Sequence, residues 1–192
     1  MPDKTSLKLV ITFSLGCLPR LPLRRRPLLE LLTTLLSEEE ALLIDNHSSI
    51  DPVEAEYPRD HSDYQLERRR AREAAFQRTV ENPAFRTRTI ILTDFQSNND
   101  LGRAVAAEYA EAAQRAGRLF LPIYLDCDID ENARRVASSQ RKISGTTKLW
   151  SAEVLADMRA IEGMGGITLD VTHMSPEEAA GRLDRENGRL RV

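Results

Sequence analysis

The chain has 192 residues, 41% hydrophobic and 30% charged, which is enough for one domain whose sheet is covered on both faces. Its 27 Lys and Arg against 30 Asp and Glu leave a net charge of −3, arguing against a general affinity for nucleic acid or an anionic membrane. Cys17 and Cys127 are too few for a disulfide framework and lack metal-ligand spacing.

Five short apolar runs alternate with helical patterns. Leu7–Phe13 comes first and leads through Gly16 to Leu28–Leu36, a helical stretch too apolar for a surface position. Residues 1–17 lack a small-residue cleavage site and carry Asp3 ahead of a short apolar stretch, so no secretory leader is expected and a cytoplasmic location is. No apolar run approaches the roughly 20 residues that cross a bilayer. Ala41–Ile44 is the second run and ends in Asp45-Asn46-His47. A charged helix is expected over Asp63–Val80, where Arg68, Arg69, Arg70 and Arg72 among Glu67 and Glu73 read as a solvated, salt-bridged face. The third run, Thr89–Leu92, ends in Thr93-Asp94. It precedes a helix over Asn99–Ala116 with alanines and Val105 on one face and Gly117 as C-cap. The fourth, Leu119–Leu125, ends in Asp126-Cys127, with Cys127 reading as a buried thiol. Helices over Asp130–Ala137 and Ser151–Ile161 lead to the fifth run, Ile167–Val171, followed by Thr172-His173. The last helix opens with Ser175 as N-cap, Pro176 at the first position, and Glu177 and Glu178 in the first turn. Continuous apolar runs of this length suit strands buried on both faces. The alternation predicts a doubly wound α/β fold, with right-handed crossovers placing helices on both sides of a five-stranded parallel sheet.

Between the first strand and the first helix, a nucleotide-binding sheet needs a glycine-rich loop whose N–H groups cradle phosphate, followed by Lys-Ser/Thr. Residues 14–27 read Ser-Leu-Gly-Cys-Leu-Pro-Arg-Leu-Pro-Leu-Arg-Arg-Arg-Pro, with one glycine, no lysine, and prolines that donate no N–H. Three accounts of this segment stand side by side: a local frame error in the gene, a degenerate loop, or arginines 20, 24, 25 and 26 in place of the lysine.

Ligands of open parallel sheets bind outside the carboxyl ends of the strands, where this chain gathers its polar residues. Asp94 suits magnesium, directly or through water, or else a turn at the strand exit. Asp45, Asn46 and His47 offer an acceptor, an amide and an imidazole for a hydroxylated small molecule, with Asp45 as base, or else an Asx-turn. His47 and His61 lack zincin spacing. Arg134, Arg135, Arg141, Lys142 and Lys148, interrupted by Ser138-Ser139 and Ser144-Gly145-Thr146-Thr147, read as a lid over phosphates or as a solvated basic face with a mobile loop.

These pieces together resemble the P-loop small-molecule kinases, which include shikimate, gluconate and adenylate kinases and chloramphenicol phosphotransferase-like proteins. More closely, the chain resembles a group of P-loop proteins of AAA-domain description common in fungi and bacteria. The stretches that carry the resemblance are Leu43-Ile44-Asp45-Asn46-His47 with Ile50-Asp51-Pro52-Val53; Leu92-Thr93-Asp94-Phe95-Gln96-Ser97; Ala107-Glu108-Tyr109; Cys127 with Glu131-Asn132 and Arg134-Arg135; Thr147-Lys148-Leu149; and Leu169-Asp170-Val171-Thr172 with Ser175-Pro176-Glu177-Glu178-Ala179-Ala180. They run from about residue 41 to 183. The resemblance implies a single domain over 1–192, strand order 2-3-1-4-5, a lid near 138–149, ATP and Mg2+ as cofactors, and phosphoryl transfer to a hydroxylated small molecule. It implies Asp45, Asp94 and Arg141 as catalytic residues, with Asp94 organising the metal. Gly16, Arg134, Arg135 and Arg141 would approach the nucleotide, and Asn46, His47 and Gln96 the acceptor. The chain departs from the family at residues 14–27, where no residue takes the lysine role, and at Trp150-Ser151, where a polar pair ending in Asp is usual. Weak or absent turnover is therefore expected. The alternative is a non-catalytic protein of the same fold whose charged helix over Asp63–Val80 meets a partner.

Overall fold

The computed structural model describes residues 9–14, 41–94, 96–128, 130–131 and 165–190. The segment after Ser14, the stretches over Leu28–Leu36 and Ser151–Ile161, the helix at Asp130–Ala137 beyond Glu131, and the lid at 138–149 lie outside these residues. Strands Leu9–Ser14 (β1), Ala41–Ile44 (β2), Thr89–Asp94 (β3), Leu119–Asp126 (β4) and Ile167–Asp170 (β5) form one sheet in the order β2-β3-β1-β4-β5. Every pairing is parallel. The described helices are His47–Glu56 (α1), Tyr64–Arg78 (α2), Asp100–Arg115 (α3) and Pro176–Leu190 (α4), with a 3-10 turn at Pro83–Phe85.

The backbone ladder carries three strands past their apolar letters. Ser14 is in register with Asp94 on one side and Tyr124 on the other, and Asp126 is in register with Asp170. The polar strand ends are thereby lined up along one edge. Successive side chains leave a strand on opposite faces. Ile90 and Leu92 join Phe76, Val80, Val105, Tyr109, Ala112 and Ala113 on the α2–α3 side. Ile91 turns the other way, to Leu121, Ile123, Leu125 and Leu169 and to Ala179, Ala180 and Leu183 of α4. Helices thus cover both faces. Phe76, Ile90, Ile91 and Leu125 are under 2% exposed, and each such side chain contributes about 1.5–3 kcal/mol.

The helix ends follow ordinary capping chemistry. Asn99 Oδ1 accepts the Gly102 N–H at 2.8 Å and opens α3. A Cβ at Gly102 would lie 1.9 Å from the Ser97 carbonyl oxygen, so only glycine lets the helix start this close to the preceding loop. Gly117, at φ 62°, ends α3, with its N–H and that of Arg118 returning to the carbonyls of Gln114 and Ala113. At α4, Ser175 Oγ accepts the Glu178 N–H at 3.2 Å while Glu178 Oε2 accepts the Ser175 N–H at 2.8 Å, a reciprocal capping box. Among the described residues, no helix is long and apolar enough to cross a membrane.

Candidate active site at the carboxyl edge of the sheet

β1 leads toward β2 on one side of the sheet, and β4 leads toward β5 on the other, so the reversal of strand order falls at β1. The buried carboxylate beside the end of β1 comes from β3. Asp94 ends this strand and is 3% exposed. Its Oδ2 accepts from Gln96 Nε2 at 2.9 Å. Tyr109 of α3 also hydrogen-bonds to it, and the phenol is held well above the usual tyrosine range by burial first and by the Asp94 charge second. Asp94 is therefore more than a turn residue, since it ties the sheet to α3.

Behind Asp94 the structure overturns one sequence reading. Arg69 and Arg70 are exposed and pair with Glu108 at 3.7 Å and Glu67 at 2.5 Å, as a solvated face should. Arg68 and Arg72 are buried, at 6% and 4% exposed. Residues four apart share a helix face, and Tyr64, Arg68, Arg72 and Phe76 form the buried stripe of α2. The spacing shows this stripe, with an aromatic at each end; the charged composition hides it. Arg72 forks onto Glu108, with Nε to Oε2 at 2.7 Å and NH2 to Oε1 at 3.1 Å. Burial alone would lower its proton affinity, and the Glu108 hydrogen bonds and charge more than offset this. For Arg68 burial prevails, and its proton affinity falls below the ordinary arginine value.

The Asp45-Asn46-His47 triplet stands beside this cluster. Asn46 donates its N–H to Thr93 Oγ1 at 3.1 Å, fastening β2 to the residue before Asp94. Asp45 is exposed, and its Oδ1 accepts the His47 N–H at 2.9 Å, the Asx-turn geometry. The His47 ring reaches Asp51 Oδ1 at 3.0 Å rather than Asp45. All three open α1, a helix that apolar periodicity does not announce, because Val53 is its one buried residue and Pro52 lies within it. The structure thus brings Asp45, Asn46, His47, Asp94 and Gln96 to one end of the β2–β3 pair. Gly16, Arg134, Arg135 and Arg141 lie outside the described residues.

At the far edge, beyond β4, an open cleft of about 530 Å³ is lined among the described residues by Asp128, Asp130, Glu131, Asp170, Thr172 and His173. Its carboxylates serve nearby turns. Asp170 Oδ1 accepts from the Thr172 N–H and hydroxyl at 2.9 and 2.6 Å, and these bonds hold its carboxyl below the usual range. Asp128 Oδ1 caps the N–H groups of Asp130 and Glu131. Cys127 is buried, its Sγ donating to the Asp128 carbonyl at 3.4 Å. Among the described residues, no group of three or more His, Cys, Asp or Glu could hold a metal ion. Magnesium needs less protein than that, since it keeps several waters and is bound through one or two carboxylates and substrate phosphates. Asp94, a hard oxygen donor at the end of the strand beside β1, fits that role.

Solved structures with this architecture are numerous and distant in sequence. The Mycobacterium tuberculosis APS kinase CysC, solved with AMPPNP and APS, superposes at a TM-score of 0.59 with 16% identity over 94% of this chain and 97% of its own. A gluconokinase from Sinorhizobium meliloti gives 0.52 with 12% identity over 97% and 96%. The fold is that of the P-loop small-molecule kinases. The protein APE1195 matches this kinase fold at 0.64, with 16% identity over 97% and 98%. No protein-family model and no curated protein sequence matches the chain.

Proposed function

We propose that this chain carries a small-molecule kinase site: Mg2+-dependent transfer of the terminal phosphate of ATP to the hydroxyl of a small acceptor. The observation that supports it best is Asp94, a buried carboxylate at the end of the strand beside β1, in a fold shared with nucleotide-binding kinases. Magnesium ATP would supply the transferable phosphoryl group and offset its charge. Asp45 would take the acceptor proton as that oxygen bonds to phosphorus and the bond to the ADP oxygen breaks; its Oδ2 takes no hydrogen bond among the described residues. Asn46, His47 and Gln96 would position the acceptor. Asp94 would order magnesium and its waters, with Gly16, Arg134, Arg135 and Arg141 assigned to the nucleotide. Turnover should be slow, because no lysine stands in residues 14–27. A lost phosphate clamp removes several kcal/mol of transition-state stabilisation, and each 1.4 kcal/mol is about a tenfold change in rate.

The test is calorimetry of Mg-ATP with the full chain, supported by thermal shift. At about 100 times its dissociation constant, ATP should stabilise the fold by about 2.7 kcal/mol. Asp94→Asn should weaken Mg-ATP binding about tenfold or more. Replacing residues 16–26 with a glycine-lysine loop should raise ATP consumption when an acceptor is present. A folded sample that binds no ATP at millimolar concentration overturns the reading.

A further inference from the structure

Tyr109 is buried in the middle of α3, and its surroundings leave the ring little freedom. It stands edge-on to Phe76 of α2, with ring centroids 5.0 Å apart and planes at 69°. The residue before it, Glu108, takes the Arg72 fork at 2.7 and 3.1 Å and so pins this turn of α3 to α2. Val105, one turn earlier on the same face, packs with Ile90 and Leu92 of β3 in the same cluster. A phenylalanine would fill this volume with no polar atom to satisfy. The hydroxyl is the one atom that sets tyrosine apart here, and it donates to the Asp94 carboxylate.

The carboxylate has a reason to need that bond. The last torsion of an aspartate side chain is soft, so groups outside the residue set the plane of its oxygens. Gln96 Nε2 donates to Asp94 Oδ2 at 2.9 Å, but Gln96 lies two residues along the same loop and moves with it. Tyr109 comes from a separate helix whose place is itself fixed. Its bond therefore sets the carboxylate plane against the frame of the domain.

We infer that Tyr109 is a positioning residue for magnesium: its hydroxyl holds the Asp94 carboxylate in an orientation that serves an octahedral ion, and so favours Mg2+ over Ca2+. Mg2+ demands near-ideal octahedral geometry, whereas Ca2+ accepts flexible geometry and more ligands. Removing an outer partner of a metal-binding group costs about 10- to 100-fold in metal affinity. Loss of the hydroxyl should therefore fall harder on Mg2+. The inference rests on the reading of Asp94 as the carboxylate that orders magnesium in a kinase site.

The experiment measures ATP binding to the full chain by calorimetry with EDTA, with Mg2+ and with Ca2+. The quantity compared is the gain in ATP affinity that each metal brings. The variants are Tyr109→Phe, which keeps the ring and its packing, and Val105→Ala, which disturbs the same cluster without touching the hydroxyl. In the wild type Mg2+ should tighten ATP binding. In Tyr109→Phe that gain should shrink about tenfold and the Ca2+ gain less than about threefold, with metal-free ATP binding unchanged. Val105→Ala should lower the melting temperature and keep the Mg2+ gain. A full Mg2+ gain in Tyr109→Phe, an equal loss for both metals, or an equal loss in Val105→Ala overturns the inference and leaves the kinase reading standing. A wild type that binds no ATP, or binds it equally with and without metal, removes the kinase reading and the inference with it. Should Tyr109→Phe fail to fold, the Cζ signal of Tyr109 in the wild type decides. The chain has four tyrosines, so Tyr57→Phe, Tyr64→Phe and Tyr124→Phe assign it by elimination. A larger shift with Mg-ATP than with metal-free ATP supports the positioning role; equal shifts, or none, overturn it.

Discussion

The two ends of the carboxyl edge use carboxylates in opposite ways. Beyond β4, Asp170 and Asp128 are exposed and bond to groups two or three residues away, so they shape turns. At the end of β3, Asp94 is buried and joined to Tyr109 of α3, while Glu108 holds Arg72 across 36 residues of sequence. The same residue type is local scaffolding at one end and long-range structure at the other. Long-range, buried polar clusters of this kind are where fixed geometry for a ligand is built, and where one substitution does most damage.

The sharpest way to break the contrast is Arg72→Ala. It leaves Glu108, 16% exposed, with the longer Arg69 contact at 3.7 Å in place of the Arg72 fork, and should cost about 3 kcal/mol in urea unfolding. The double change Arg72→Met with Glu108→Leu should recover most of that. Next comes Gly102→Ala, whose new methyl meets the Ser97 carbonyl oxygen at 1.9 Å. It should cost about 2 kcal/mol and loosen the segment from Gln96 to Asn99 while leaving the β5 edge unchanged, as amide shifts would show. Asp94→Asn should lower the Tyr109 titration, followed by the ultraviolet absorbance of the ionised phenol. The tyrosine should still titrate above its ordinary range, because burial is the larger cause. The smallest effect belongs to the other edge. The Asp170 carboxyl is depressed in the folded chain, so its contribution to stability is present above its unfolded value and is lost as pH falls through the folded one. Thr172→Val should return that carboxyl toward the ordinary range by NMR titration and change stability by no more than about 0.5 kcal/mol at neutral pH.

Strands were legible as unbroken apolar runs, and Ala41–Ile44 has the same bounds in sequence and structure; full burial holds for β3, whereas β2 is mostly half-buried and β5 exposes Thr168 and Asp170. The extensions to Ser14, Asp94 and Asp126 were not, since a backbone ladder is indifferent to side-chain polarity. The caps at Ser175 and Gly117 were legible from local chemistry. Helix α1 was not, because two serines, a proline and one buried valine make no apolar stripe. Among the site residues, Asp94 and Gln96 stood out at a strand exit, but their supports did not. Tyr109, Glu108 and the buried arginines come from helices remote in sequence, and a count of charges on α2 conceals the four-residue step that buries Arg68 and Arg72.

The thin attachment of α1 sets how the β2–β3 end opens. With Val53 its one buried residue, Pro52 supplying no N–H, and an interior of serines and acids, this helix has little to lose by fraying. β3 is buried at all six positions and should open only with the sheet as a whole. Amide exchange should therefore be fast over 48–56 and slow over 90–93. Opening of α1, which touches Arg68 through Ser49, should then occur many times for each unfolding of the domain behind it.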